Sequence, residues 1–340
     1  MKQFFLFLIF VTAASITHAQ SKNRIVVAQD GSGDYKTVQE AFDAVPMNNK
    51  IQLNIFIKKG VYKEKLHLDS GKNNLVIWGD REGQTVLTYD DHTGKVAPDG
   101  SIINTQTSQS FYIKANDIKL VYLTIENTAG FTAGQAVAVR VEGDRIFFNS
   151  CRILGFQDTL FTSGENSRQY YISCFIQGST DFIFGPATAI FDLCIIRSKK
   201  NSHVTAASTP KEHSFGYVFR KCWLVSDSGL NKVSLGRPWR PYASVAYIEC
   251  KIEGHIFSEG WDNWKNAENE KTARYAEYQN FGPGADTTGR VTWSRQLSGE
   301  EVKQYTMENI LRGWQPYGAS YLKPAIPWLP PPGKAPYDQR

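Results

Sequence analysis

Short apolar runs dominate the sequence, and turn-forming residues separate them. Stretches rich in Val, Ile, Phe and Tyr alternate with Gly, Asn and Asp, which is the pattern of many short β-strands. Two capping boxes interrupt this pattern. Thr37 and Glu40 begin a predicted helix over 41–44, and Ser298 and Glu301 begin a second helix that runs to about Leu311. The sequence therefore predicts an all-β protein with a few short helices.

The strands recur at a regular spacing. The segment CRILGFQDTLF begins at Cys151 and CFIQGSTDFIF begins at Cys174, so that equivalent positions are 23 residues apart. Further segments of the form Cys-x-apolar follow at offsets of 20, 28 and 28 residues and begin at Cys194, Cys222 and Cys250. A period of 20 to 28 residues without internal helices predicts a β-solenoid, in which strands of successive coils pair in parallel. A β-sandwich with coincidental spacing is the alternative.

The repeat has two consequences for other parts of the chain. The open ends of a solenoid need covers, and we expect the helix near residues 38–44 and the C-terminal segment to supply them. The five cysteines all head successive coils at equivalent positions, which indicates a ladder of small interior side chains. An odd number of cysteines is then no puzzle, since no pairing is required.

The same repeat aligns polar residues. Asp158 and Asp181 are equivalent, and one further step back places Gln135 above Asp158, with Gln157 beside it. Two adjacent carboxylates repel each other, so the pKa of one rises and the pair can act as acid and base. Aromatic residues surround the two aspartates, and the run Arg237–Arg240 follows downstream. Aromatic walls with a few convergent polar groups are typical of carbohydrate clefts. A solvated ladder of Asn and Asp side chains is the structural alternative.

Composition and charge narrow the function classes. The chain has 340 residues, is 41% hydrophobic and carries a formal net charge of +5, which excludes a disordered protein and does not favour nucleic acid as a partner.

The N-terminus has the pattern of a signal peptide over 1–19, with Lys2, an apolar run over 4–11 and then Ala19. This pattern predicts a secreted protein, extracellular or periplasmic. That run is too short to span a bilayer. The histidines and cysteines lack the spacing of a zinc site.

Seven segments in this order resemble the pectin methylesterases, a family of carbohydrate esterases also called pectinesterases. They are DGSGDYKTVQEA at 30–41, GQAVAVR at 134–140, GFQDTLF at 155–161, DFIFG at 181–185, LGRPW at 235–239, ARYAEYQNFGPGA at 273–285 and RVTW at 290–293. The resemblance implies a right-handed parallel β-helix with short capping helices and a single catalytic domain over 20–340. It also implies methylated homogalacturonan, the main chain of pectin, as the substrate, with neither a metal nor another cofactor, and we expect a monomer.

The resemblance also implies a role for each candidate residue. Asp181 would attack the methyl ester, Asp158 would serve as acid and then as base, and Gln135 and Gln157 would donate hydrogen bonds to the oxyanion. Arg237 would orient Asp181 and keep it ionised. The residues that would line the substrate groove are Trp239, Phe161, Phe182 and Phe184. Phe161 is a departure, because many relatives carry Tyr there.

Three other functions are weighed against this one. A polygalacturonase would also use two carboxylates, but the Asn-Thr-Asp and Gly-His-Gly segments of that family are missing from the sequence. A pectate lyase would need calcium-binding aspartates, which are not apparent. A non-catalytic polysaccharide-binding solenoid would not need the Gln and Asp column beside LGRPW.

Overall fold

The chain folds into a parallel β-helix in the computed structural model, which describes residues 23–80 and 84–317. Strands of successive coils pair in parallel and build three sheets that run along the molecule. The predicted fold class is confirmed, and the β-sandwich alternative is excluded. The predicted signal peptide, residues 1–19, lies outside the described residues.

Three sheets contain the strands of the described residues. The eleven-stranded sheet consists of Arg24–Val27, Leu53–Ile57, Leu75–Trp78, Ile118–Val121, Ile146–Asn149, Arg168–Ile172, Thr188–Asp192, Tyr217–Arg220, Ser244–Ile248, Arg274–Tyr278 and Arg295–Gln296. The eight-stranded sheet consists of Gly60–Lys63, Thr85–Tyr89, Thr124–Asn127, Arg152–Leu154, Phe175–Gly178, Ile195–Ser198, Trp223–Ser226 and Lys251–Ile252. The seven-stranded sheet consists of Leu66–Leu68, Phe111–Ile113, Val139–Val141, Leu160–Thr162, Ile183–Gly185, His203–Ala207 and Ser234–Pro238.

One corner of the coil is built in the same way six times. Leu123 and the five cysteines each follow a residue with a positive φ of 51° to 57°. This conformation turns the chain from the eleven-stranded to the eight-stranded sheet. The six residues are Tyr122, Ser150, Ser173, Leu193, Lys221 and Glu249. The residues that follow the cysteines pair in register along the eight-stranded sheet. The prediction of equivalent interior cysteines is therefore confirmed. All five are free and buried, and burial raises the pKa of the thiols of Cys174, Cys194, Cys222 and Cys250.

The interior is also stacked in columns. Phe148, Tyr171, Phe191, Phe219 and Tyr247 face inward from successive strands of the eleven-stranded sheet, and neighbouring ring centroids are 4.7, 4.7, 4.5 and 4.4 Å apart. This separation is close to the distance of about 4.8 Å between paired strands. The rings therefore stack because the backbone register repeats, and the stack makes the scaffold of the site stiff.

The helices of the described residues are short, and each α-helix begins at a side-chain cap. The α-helices are Val38–Asp43, Gly299–Val302 and Met307–Ile310, and the 3₁₀ helices are Thr105–Thr107, Ala267–Lys271 and Pro283–Ala285. Both predicted capping boxes are present, with Thr37 and Glu40 in the first and Ser298 and Glu301 in the second. No helix among the described residues has the length and apolar character to cross a membrane.

The second predicted helix is wrong in extent. It ends at Val302, and a separate helix begins at Met307 because the hydroxyl of Thr306 accepts a hydrogen bond from the Asn309 N–H at 3.1 Å. Thr306 itself has an extended conformation, so the helix cannot continue through it. The single helix expected to reach Leu311 is therefore two short helices.

Both expected end covers are present. Helix Val38–Asp43 covers the N-terminal end, where Phe42 stacks on Phe111 with ring centroids 5.4 Å apart. At the other end, Ala285, Val291 and Trp293 of the C-terminal segment pack against the interior core, and the ring of Trp293 lies 5.7 Å from that of Tyr275. The C-terminal helices do not contribute to this cover; Ile310 and Leu311 pack along the outer face of the eleven-stranded sheet. That face carries an apolar column, so burying it is more favourable than leaving it in water. The members of the column are Phe147, Tyr170, Ile190, Val218, Ala246 and Ala276.

Candidate active site

A cleft of about 610 Å³ lies on the outer face of the seven-stranded sheet. Four positions in register on adjacent strands form its floor: Phe161, Phe184, Ala206 and Arg237. Ala206 stands between Phe184 and Arg237, and its small side chain leaves room for the long Arg237 side chain. The remaining lining residues are Asn104, Thr105, Gln106, Gln135, Gln157, Asp158, Asp181, Trp239 and Trp264.

Asp158 and Asp181 occupy the same place in adjacent coils. Each lies two residues before a strand of the seven-stranded sheet, and each has a positive φ, 63° for Asp158 and 49° for Asp181. A left-handed backbone is uncommon in residues other than glycine, and it persists where the surrounding structure enforces it. Both aspartates are nearly buried, at 8% and 6% exposed, yet both line the cleft. The predicted pairing of these carboxyl groups is present.

Arg237 distinguishes the two carboxyl groups. Its Nε donates to Oδ1 of Asp181 at 3.0 Å and its Nη2 donates to Oδ2 at 2.7 Å. Such a two-point contact stabilises the ionised carboxylate and fixes its orientation. The Arg237 Cζ lies 3.7 Å from the ring centroid of Trp264, so this ring covers one face of the guanidinium. Asp181 is therefore held in a fixed orientation against a cation.

Asp158 has a different environment. No side chain among the described residues donates a hydrogen bond to its carboxyl group. Burial raises the pKa of Asp158 well above its usual range, the charge of Asp181 raises it further, and the charge of Arg237 partly opposes both effects. The site thus contains one paired carboxylate and one carboxyl group that retains its proton more readily. The sequence predicts a raised pKa for one carboxyl group of the pair, and the direction for Asp158 agrees with it. The catalytic roles of the two groups stay a prediction.

Gln135 does not lie above Asp158, where the sequence repeat places it. Gln135 forms a parallel bridge with Gln157, so it does not stand above Asp158. Val139 pairs with Leu160, so this coil spans 21 residues and not 23. Strand pairing sets the register, and the loop before the strand takes up the difference in length. Both glutamines nevertheless line the cleft. Within the described part of the chain, neither side-chain amide donates a hydrogen bond to another protein group, so both are available to a ligand.

Three of the four aromatic residues predicted to line the groove do so, and one does not. Phe161 and Phe184 stack with centroids 4.4 Å apart, and Trp239 meets them edge-on at 6.5 and 5.9 Å. All three line the cleft. Phe182 does not, and this prediction is wrong: Phe182 is 0% exposed and belongs to the interior core. Its side chain turns inward directly after Asp181 and lies so close to Gly178 that a Cβ there would be 2.1 Å from that of Phe182.

Sequence reasoning missed Trp264 and the three residues Asn104, Thr105 and Gln106, which lie at the start of the 3₁₀ helix Thr105–Thr107. The signal for Trp264 is the segment WDNW at 261–264, where aromatic and polar residues alternate. The loop 261–266 is folded back by hydrogen bonds, since Asp262 accepts from the Trp264 N–H at 2.7 Å. Asn269 then donates to the Pro238 carbonyl at 3.4 Å and to that of Asn263 at 3.1 Å, which ties the loop to the strand that carries Arg237. Among the described residues, no cluster of His, Cys, Asp and Glu is arranged to hold a metal ion.

Comparison with known proteins agrees with this geometry. The model of the pectinesterase family matches residues 24–314, which include every residue of the cleft. The chain belongs to the pectinesterase family. This pectinesterase is 38% identical over 290 residues to Pectinesterase 31 of Arabidopsis thaliana, with 84% of the chain and 91% of that relative covered. It is 37% identical to a probable pectinesterase/pectinesterase inhibitor of Brassica napus, of which it spans only half the length, 50%.

Solved structures show the same fold. The pectin methylesterase of carrot is 36% identical and has a TM-score of 0.79, with 85% of this pectinesterase and 93% of the carrot chain covered. The pectin methylesterase of Erwinia chrysanthemi is 28% identical with a TM-score of 0.76, at 86% and 98% coverage. Both comparisons identify the protein as a carboxylic ester hydrolase with the β-helix of pectin methylesterases.

Proposed function

We propose that this pectinesterase hydrolyses the methyl esters of galacturonate units in pectin, with Asp181 as the nucleophile and Asp158 as the acid and base. Family membership supports the reaction class, and two pectin methylesterase structures of similar fold are described as complexes with hexasaccharides. The observation that carries the residue roles is the asymmetry of the two carboxyl groups. Arg237 binds Asp181 at two points, whereas burial raises the pKa of Asp158.

In the first half of the reaction, Asp181 forms a bond to the ester carbonyl carbon. The carbonyl oxygen becomes an oxyanion, and the side-chain amides of Gln135 and Gln157 donate hydrogen bonds to it. Asp158 donates its proton to the methoxy oxygen as the carbon–oxygen bond breaks, so that methanol leaves. An acyl-enzyme anhydride and an ionised Asp158 remain.

In the second half, a water molecule replaces methanol. The ionised Asp158 takes a proton from the water while the water oxygen forms a bond to the carbonyl carbon. The bond to Asp181 then breaks, which releases a free galacturonate carboxyl group and restores Asp181 to its ion pair with Arg237. Asp158 holds a proton again, so the cycle needs no external acid, metal or cofactor.

The aromatic floor supports a carbohydrate ligand. Phe161, Phe184 and Trp239 present apolar surface of the kind that contacts sugar C–H groups. Phe161, the position where the sequence departs from many relatives, stacks on Phe184 with ring centroids 4.4 Å apart. We therefore place the galacturonate ring over these three side chains, with its ester group directed toward Asp181.

We further propose that the protein is secreted through the segment 1–19 and works as a monomer whose single catalytic domain spans 20–340. The charge pattern of the signal segment and the polymeric substrate support export, since pectin lies outside cells. The expected partner is methylated homogalacturonan, without nucleic acid or a membrane.

The test is a methanol assay on methylated pectin with the wild-type protein. The proposal predicts methanol release with unchanged chain length, no absorbance from unsaturated products, and full activity in excess chelator. Chain cleavage without methanol would indicate a polygalacturonase. Unsaturated products that disappear with chelator would indicate a lyase, and binding without turnover would indicate a non-catalytic solenoid.

A further inference from the structure

A histidine lies next to Asp181 in the following coil. Asp181 comes two residues before Ile183, which pairs with Thr205. His203 comes two residues before Thr205, and its carbonyl accepts a hydrogen bond from the Asp181 N–H at 2.8 Å. Because adjacent coils are about 4.8 Å apart, His203 is the neighbour of Asp181 on the side away from Asp158.

The ring of His203 is anchored by the coil that follows it. Its Nδ1 lies 2.7 Å from the Oγ of Ser234, which is 0% exposed and pairs with His203 on the adjacent strand. A hydroxyl group can donate to a neutral imidazole nitrogen and can accept from a protonated one. Ser234 therefore holds the ring in both protonation states, so a proton that the ring gains adds positive charge at a fixed position.

Three charged groups act on this ring from the elements packed against it. They are Asp181 in the preceding coil, Arg237 in the following coil and Asp262 in the loop 261–266. Burial lowers the pKa of His203, the charge of Arg237 lowers it further, and the two carboxylates partly oppose both effects. His203 is therefore mostly neutral at pH 7 and gains its positive charge as the solution becomes acidic.

A positive charge on His203 acts on the ion pair of Asp181 and Arg237 in two ways. It attracts the Asp181 carboxylate, and it repels the Arg237 guanidinium. Both forces oppose the hydrogen bonds of 3.0 and 2.7 Å through which Arg237 orients Asp181. A neutral ring exerts neither force, so the ion pair is undisturbed at neutral pH.

We infer that His203 is a positioning residue whose protonation loosens the hold of Arg237 on Asp181 and thereby lowers esterase activity in acid. The inference rests on the proposed function, in which Asp181 attacks the ester. His203 does not line the cleft, so it acts on the reaction through Asp181 and not through the substrate.

The first test is the pH profile of methanol release by His203→Gln, whose new side chain is polar and does not titrate. We expect the ratio of kcat/KM at pH 5 to kcat/KM at pH 7 to rise roughly threefold or more over the wild type, because the loss caused by His203 protonation is removed. The matched control is His213→Gln. Burial also lowers the pKa of His213, but none of the charged groups that act on it lines the cleft, so its ratio stays that of the wild type.

The second test follows the protonation of the His203 ring by NMR and needs no turnover. Arg237→Gln removes a cation that acts on the ring, so the midpoint of the titration moves to higher pH. Asp181→Asn removes an anion, so the midpoint moves to lower pH. Circular dichroism checks that every variant folds, and these two variants keep the inference testable if His203→Gln does not.

Three results would overturn the inference. They are a pH profile of folded His203→Gln equal to that of the wild type, an equal change of the profile in His213→Gln, and a titration midpoint of His203 that is the same in the wild type, Arg237→Gln and Asp181→Asn. A wild type that releases no methanol contradicts the proposed function instead, and the NMR titration then decides the inference.

Discussion

Arg237→Gln removes the guanidinium that donates two hydrogen bonds to Asp181 and lies against Trp264. The glutamine leaves Asp181, which is only 6% exposed, without its cation and next to Asp158. We expect a protein that still folds, because the β-helix interior is untouched, but whose nucleophile is neither oriented nor paired.

The contacts of Arg237 set the size of the loss expected for Arg237→Gln. Removing one partner of a buried ion pair costs about 3–5 kcal/mol, and water reaches 22% of the Arg237 side chain, which favours the lower end of that range. That cost falls on the free energy of unfolding. Loss of a preorganised donor in an active site separately lowers kcat/KM roughly 100-fold to 1,000-fold, or about 3–4 kcal/mol in transition-state stabilisation. Arg237→Lys keeps the charge and loses the two-point contact, so its loss is smaller than that of Arg237→Gln.

The pH profile of methanol release separates charge from orientation. The charge of Arg237 opposes the burial and the Asp181 charge that raise the pKa of Asp158. Its removal therefore raises the pKa of Asp158 further, and the alkaline limb of kcat/KM, which reports loss of the proton from the acid, moves to higher pH in Arg237→Gln. In Arg237→Lys the limb stays in place.

Arg240→Gln is the matched control. Arg240 belongs to the same RPWR segment and lies over Trp239 at 4.8 Å, but its Nη1 donates to a backbone carbonyl rather than to a carboxylate. Arg240→Gln changes kcat/KM less than about threefold, since no buried carboxylate loses its cation. Activity within threefold of the wild type in Arg237→Gln, or an alkaline limb that moves to lower pH in this variant, would contradict the role given to Arg237.

Three further predictions concern single positions. Because the pKa of Asp158 is raised in the folded state, this residue contributes stability below its unfolded pKa and loses it as the pH rises through the folded pKa. The free energy of unfolding of Asp158→Asn therefore exceeds that of the wild type by roughly 0.5–2 kcal/mol at pH 7 but not at pH 3, as measured by urea unfolding. Trp264→Ala lowers kcat about fivefold to thirtyfold by uncovering Arg237, whereas Trp264→Phe retains most activity; equal losses in both would contradict the cation–π contact. A thiol titration finds five reactive thiols in the denatured protein and none in the native one, and a single thiol after denaturation would indicate disulfides.

The sequence repeat was sufficient to place Asp158 and Asp181 together, because both lie in coils of equal length. It failed for Gln135, since the coil before Asp158 has a different loop length and only the strand pairing Val139–Leu160 fixes the register there. Periodicity detects equivalent strands, whereas the loops between them vary freely.

Phe182 and Trp264 show a second limit. Phe182 adjoins Asp181 in the chain, but the corner conformation at Asp181 turns its neighbour inward, and this turn leaves no mark in the residue types. Trp264 is far from both aspartates in the chain, and only the hydrogen bonds of loop 261–266 bring it onto Arg237. Adjacency in sequence therefore predicted one cleft residue too many and missed one that folding supplies.

The role of Asp181 is tested most directly by methanol release from methylated pectin with Asp181→Ala beside the wild type. We predict a loss of at least about 1,000-fold in kcat, because the variant has no nucleophile, together with cooperative thermal unfolding that shows an intact fold. Turnover within tenfold of the wild type by a folded Asp181→Ala protein would contradict the account.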